Sequence, residues 1–242
     1  METVLVGPAP RIAVSYIGSG PLLLFLHGIR GNKRNWYAQL EAFSARCTAA
    51  AWDARGYGES DDYAGSLQFT DFSADVARVA DHFGAQRLHL AGLSMGGRIA
   101  RNVALRFPER LHSLTLIATA PGFQRGRTPL PPEKLLGSRA RAEAFAELAD
   151  SFTRVRQESY RKTLEASQAQ DQGAPIETIR TPTLIIAGEE DQMYPPTVAR
   201  EMARRIPGAE LVVIEGAGHL PNLEQPERFN QILAEFLKRR FP

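Results

Sequence analysis

Cysteine is nearly absent from this chain, with one residue, Cys47, among 242. A single thiol can neither close an intrachain disulfide nor build a zinc cluster, so the fold must rest on packing, with Cys47 as a small buried apolar residue. Long apolar runs are missing as well. Nowhere do about 18 consecutive apolar residues occur, the length a membrane-crossing helix needs, and Met1-Glu2-Thr3-Val4 lacks the basic and then apolar pattern of a secretory leader. Charge of one sign is equally scarce. Lys and Arg number 29 against 27 Asp and Glu, a formal net charge of +2, and the cations are scattered or paired with acids, which leaves no cationic footprint for nucleic acid. The densest basic stretch, Lys238-Arg239-Arg240, closes an amphipathic segment, where cations suit a helix C-terminus. These absences predict a cytoplasmic protein without nucleic-acid or membrane partners. They leave oligomeric state, a homo-oligomer included, undecided.

What is present is an alternation. With 43% hydrophobic and 23% charged residues, the composition is that of an ordinary globular chain, long enough for one large core. Strand-like runs at Thr3 to Val6 and Ile12 to Ile17 precede the apolar Leu22-Leu23-Leu24-Phe25-Leu26. From there, amphipathic segments (Asn35 to Arg46, Asp71 to Phe83, Gly97 to Phe107) alternate with apolar ones (Thr48 to Trp52, Arg87 to Ala91, Leu114 to Ala118). This rhythm predicts a parallel sheet covered by helices on both faces. It stops at Pro121, where a proline-rich patch and polar helical sequence from Arg139 to Tyr160 suggest a small helical insertion. It resumes with Thr183 to Ala187, a helix over Thr197 to Ile206, a strand over Leu211 to Ile214 and a final helix over Pro226 to Arg239.

The most specific segment is Gly92-Leu93-Ser94-Met95-Gly96, placed between an apolar run and an amphipathic one. A serine on so sharp a strand-to-helix turn is presented at the end of the sheet, and only small flanking residues can approach it without clashing. In open α/β sheets, ligands bind beyond the carboxyl ends of the strands. Residues with useful chemistry follow several of these ends: His27, Asp53, Ser94, Asp191 and His219. A serine hydroxyl needs a base to take its proton, for which an imidazole is suited, and that imidazole needs an acceptor to fix its tautomer. The chain order Ser94, Asp191, His219 matches one of the three common serine-hydrolase orders. Glu189 and Glu190 compete with Asp191 as the acid, while His82, His89 and His112 lie on helix or strand faces and resemble surface or core histidines.

Taken with Leu26-His27-Gly28, the segment Asp53-Ala54-Arg55-Gly56-Tyr57-Gly58-Glu59-Ser60, and Gly216-Ala217-Gly218-His219, these motifs make the chain resemble the α/β-hydrolase fold superfamily. The similarity is to its single-cap serine hydrolases, and most to the 3-oxoadipate enol-lactonase and small carboxylesterase branch. The resemblance implies an α/β fold with a mostly parallel central sheet, helices on both faces and a small helical cap. The core would be 1–120 and 180–242, and the cap 121–179. It implies catalytic Ser94, Asp191 and His219, an oxyanion hole from the amides of Ile29 and Met95, and a structural task for His27. Asp53 with Arg55 would fix a turn. Arg30, Trp36, Phe123 and Leu220 adjoin these loops and are candidate substrate-binding residues, Arg30 through a substrate carboxylate. No metal or cofactor is called for. The expected activity is hydrolysis of a small ester or lactone. A carbon-carbon bond hydrolase of ring-cleavage products and a ligand-binding receptor are the alternatives.

Overall fold

The computed structural model describes residues 1–122, 130–170 and 175–240. Its strands are β1 Glu2–Val6, β2 Ile12–Ile17, β3 Leu22–Leu26, β4 Thr48–Trp52, β5 Leu88–Leu93, β6 Leu111–Ile117, β7 Thr183–Gly188 and β8 Glu210–Ile214. They form one eight-stranded sheet in the order β1-β2-β4-β3-β5-β6-β7-β8. Only the β1–β2 and β2–β4 pairings are antiparallel. The parallel strands therefore end at a common edge, where residues far apart in sequence can meet.

Side chains in β3 alternate between the two faces, as a strand's period of two requires. Leu22, Leu24 and Leu26 join one buried cluster with Trp52, Phe72 and Ile99. Leu23 and Phe25 join another with Trp36, Phe43, Phe229 and Phe236. A strand buried on both faces must be apolar throughout, which is why its sequence is an unbroken run. Leu24, with no exposed surface, is worth about 2–5 kcal/mol against alanine.

The helices are α1 Tyr37–Phe43, α2 Phe69–His82, α3 Met95–Arg106, α4 Ala142–Thr153, α5 Gln157–Gln170, α6 Pro196–Arg205, the short α7 Pro221–Glu224, and α8 Pro226–Lys238. Helices α4 and α5 form the small helical cap between β6 and β7. Helix α8 starts with proline at its first position, where the missing N–H costs nothing. Beyond its end, Arg239 and Arg240 pair with Glu210 at 2.7 and 2.9 Å. Among the described residues, no helix is long and apolar enough to cross a membrane.

Two segments differ in detail from their sequence periodicity. The run 35–46 is a single 3-10 turn, Lys33–Trp36, followed by α1. The Asn32 side chain accepts from the Arg34 amide and the Asn35 side chain from the Asn32 amide, both at 2.9 Å, which starts the turn early. The run 139–160 is broken between α4 and α5, and at the break the Arg156 guanidinium donates to the carbonyls of Ser60 and Gly58, at 3.0 and 3.1 Å.

Candidate active site

Strand β5 ends at Leu93, α3 begins at Met95, and Ser94 between them has φ 53° and ψ −111°. A non-glycine residue held there stores roughly 1–3 kcal/mol of backbone strain, which the surroundings must hold in place. Ser94 N–H donates to Ile117 O at 2.9 Å, and Thr119 Oγ1 donates to Ser94 O at 2.8 Å. The elbow also needs close backbone approach. A Cβ on Gly96 would lie 2.7 Å from His27 O and nearer still to Leu26 O, so glycine is what lets α3 dock against the end of β3.

Asp191 lies just past β7 and His219 just past β8. The carboxylate is buried and fully engaged: Oδ1 accepts from the amides of Met193 at 2.7 Å and Tyr194 at 2.9 Å, and Oδ2 lies 2.9 Å from His219 Nδ1. An ionised carboxylate only accepts, so Nδ1 is assigned the proton and Nε2 is left with its lone pair. The competing acids are occupied elsewhere. Glu190 accepts from Ser138 N–H at 2.7 Å and its hydroxyl at 2.5 Å, and Glu189 accepts from Gly216 N–H at 3.0 Å. Ser94 and His219 line one cavity of about 160 Å³. No hydrogen bond joins the serine hydroxyl to the imidazole among the described residues; catalytic contacts of this kind tighten when substrate binds.

Ile29 and Met95 line the same cavity, and the amide of neither donates to an acceptor among the described residues. Met95 is the first residue of α3, so its N–H is one of the unpaired donors of a helix N-terminus. The Ile29 loop is held from below. His27 Nε2 accepts from Ala54 N–H at 3.0 Å, which leaves Nδ1–H to donate to Gly28 O at 2.7 Å. Burial pushes the His27 imidazole below its ordinary pKa, so a neutral ring can serve both bonds. Asp53 accepts from Lys33 N–H at 2.7 Å, Lys33 Nζ at 2.9 Å and Glu59 N–H at 2.8 Å. Its partner in fixing this turn is Lys33, while Arg55 reaches Asp75 at 2.6 Å.

The candidate substrate-binding residues divide. Arg30, Trp36 and Leu220 all line the cavity, whereas Phe123 lies outside the described residues. Trp36 is chiefly a core residue, stacked on Phe25 with ring centroids 4.9 Å apart. The Arg30 guanidinium lies 5.0 Å from the Phe152 ring centroid and 4.5 Å from that of Tyr160, both in the cap, and pairs with no carboxylate among the described residues. Sequence reasoning passed over Lys33 and Glu224. Lys33 reads as one of many loop cations. Glu224 carries a signal in hindsight, an acid five residues past His219 at the head of an amphipathic helix.

A strained serine at a strand-to-helix turn, an imidazole backed by a carboxylate and an eight-stranded sheet together define the α/β-hydrolase class. The family model described as "Alpha/beta hydrolase family" matches residues 23–232, and the chain belongs to that family. It is 31% identical to the 2-hydroxy-6-oxononadienedioate/2-hydroxy-6-oxononatrienedioate hydrolase of Paraburkholderia phymatum, covering 96% of this chain and 92% of the relative. Identity to 3-oxoadipate enol-lactonase 2 of Acinetobacter baylyi is 26%, over 96% and 95%. Among solved structures, a thermophilic esterase from Thermogutta terrifontis superposes with a TM-score of 0.83 at 26% identity, over the whole of both chains.

Proposed function

We propose that this hydrolase cleaves a carboxylic ester or lactone of a small substrate through an acyl-enzyme on Ser94. The observation that carries the reading is the strained Ser94 sharing a cavity with a histidine whose Nδ1 is 2.9 Å from a buried carboxylate. His219 Nε2 takes the Ser94 proton as Oγ attacks the carbonyl carbon. The carbonyl oxygen becomes an alkoxide, met by the N–H groups of Ile29 and Met95. Collapse breaks the bond to the leaving alkoxide, which takes the proton from His219. Water then loses a proton to His219 as it attacks the acyl carbon, and collapse breaks the bond to Ser94 Oγ, which takes that proton back from His219 as the acid leaves. Asp191 holds the tautomer and stabilises the imidazolium, without itself taking the proton.

A cavity of about 160 Å³ suits a small acyl group. Residues 121–179 are read as the cap over a core of 1–120 and 180–242. Arg30, which pairs with no carboxylate among the described residues and is set against two cap aromatics, suits a substrate carboxylate. The named substrates of the Paraburkholderia and Acinetobacter relatives are themselves acid anions.

The test is steady-state hydrolysis of p-nitrophenyl esters from acetyl to decanoyl, half-ester acids of matching length and several lactones, with Ser94→Ala alongside. Turnover that falls by orders of magnitude in the variant, with preference for the half-ester acids, supports the reading. No turnover on any of them would overturn it in favour of a carbon-carbon hydrolase or a binding protein.

A further inference from the structure

Glu224 has one of the most buried carboxylates in the molecule, at 1% exposure, and it pairs with no Lys or Arg among the described residues. Burying such a group is costly unless its lone pairs are used. Here they are used by main chain alone. Oε2 accepts from Gly137 N–H at 2.6 Å and Gly218 N–H at 2.8 Å, and Oε1 accepts from Leu220 N–H at 2.9 Å. Gly218 and Leu220 flank His219, while Gly137 belongs to the segment leading into the cap helices.

The same two segments are joined again around this point. His219 N–H donates to Leu135 O at 2.7 Å, Arg139 N–H to Gly216 O at 2.9 Å, and Arg141 N–H to Glu224 O at 3.1 Å. The contact leaves no room for side chains: a Cβ on Gly218 would lie 2.5 Å from Leu135 O, and one on Gly137 would lie 2.6 Å from the Ala217 carbonyl carbon.

We infer that Glu224 is a positioning residue: it locks the cap segment Leu135–Arg141 to the loop carrying His219, so that the cap's seating and the imidazole's placement are a single structural event. The inference rests on His219 being the general base, as proposed above. A carboxylate is the group suited to this task because its two oxygens can serve three donors. A glutamine at 224 has one acceptor oxygen. With that oxygen bonded to Gly137 and Gly218, its NH₂ faces the Leu220 N–H, and the clamp beside His219 opens on one side.

The experiment compares Glu224→Gln and Glu224→Ala with wild type in ester hydrolysis, with rates expressed per active site from the burst amplitude. Backbone hydrogen exchange at Gly218 and Leu220 is followed in the same proteins. The expected result is a graded fall in kcat, Glu above Gln above Ala, of about 10- to 100-fold for the glutamine variant. KM should stay within about twofold, and exchange at Leu220 should quicken by about tenfold or more. A kcat per active site equal to wild type, with only the melting temperature lowered, would reduce Glu224 to a fold-stabilising residue and overturn the proposal. The exchange readout needs no turnover. Unchanged protection at Leu220 refutes the clamp itself, whereas a wild type that turns over no ester refutes the ester-hydrolase reading instead. If Glu224→Ala fails to fold, the glutamine variant and the exchange data still decide.

Discussion

Alanine at position 96 separates two parts of the site that glycine lets come together. Its Cβ would lie 2.7 Å from His27 O and closer to Leu26 O. Both obstacles are main chain of a buried strand end, so neither can rotate away. Ordinary carbon contacts begin near 3.4 Å, so the first turn of α3 must retreat from the end of β3 by roughly 1 Å, at a typical overpacking cost of about 1–3 kcal/mol. The proposed oxyanion donors ride on these two pieces: Met95 N–H on α3 and Ile29 N–H on the loop leaving β3. Spreading them weakens contact with the alkoxide. Removal of one such donor costs about 10²–10³ in kcat, and a displacement of about 1 Å has a comparable effect. Gly96→Ala should therefore fold, melt at a lower temperature and lose about two orders of magnitude in kcat, with KM little altered. Gly84→Ala is the control: at φ +65° and with nothing within 4 Å of its Cβ, it strains the backbone and lowers stability at a residue outside the Ser94 cavity. Esterase kinetics beside urea unfolding measure both quantities. Wild-type kcat in Gly96→Ala, or an equal loss of kcat in Gly84→Ala, would refute the reasoning.

Asp191→Asn should lower kcat by about 10⁴ at neutral pH, the size seen when a triad acid becomes an amide in a serine protease. The amides of Met193 and Tyr194 hold the oxygen of the new side chain, so its NH₂ faces His219 Nδ1, moves the ring proton to Nε2 and blocks the base; a fall of less than tenfold would count against this. Stability should decline on acidification through His89, whose buried imidazole is pushed down to about 4 by desolvation and then by His112, Arg240 and Arg87. Unfolded chains take up this proton below about pH 6.5 while the folded ring stays neutral. The contribution is thus complete above pH 6.5 and falls by about 3 kcal/mol on the way to pH 4. Urea midpoints across that range should show a shallower slope in His89→Asn, and an unchanged slope would exclude His89 as the source.

The sheet was legible because β3 to β7 are buried on both faces and so read as apolar runs between amphipathic ones. The elbow was legible because close backbone approach forces glycines into a short local pattern. Contacts that depend on tertiary structure were not. Lys33 pairs with Asp53 twenty residues away, and nothing local distinguishes it from a solvated lysine. Glu224 binds the amide of Gly137, 87 residues distant, so its task exists only once the cap segment has packed against the loop. The split between α4 and α5 was hidden as well, since the polar sequence there continues across the break.

The cap occupies a connection that could never have been short. β6 and β7 are parallel neighbours, with Leu114 opposite Thr183 and Ile117 opposite Ile186, so the chain leaving one end of the sheet must travel back to the other before it can pair again. A parallel crossover needs a dozen or more residues whatever it encloses, and each doubling of a connection's length adds only about 0.6 kcal/mol of closure entropy. The enclosure over Ser94 is therefore a detour lengthened rather than a part added. A longer or shorter detour would fit this chain without shifting a strand's register, provided it still offers Glu224 an amide to hold.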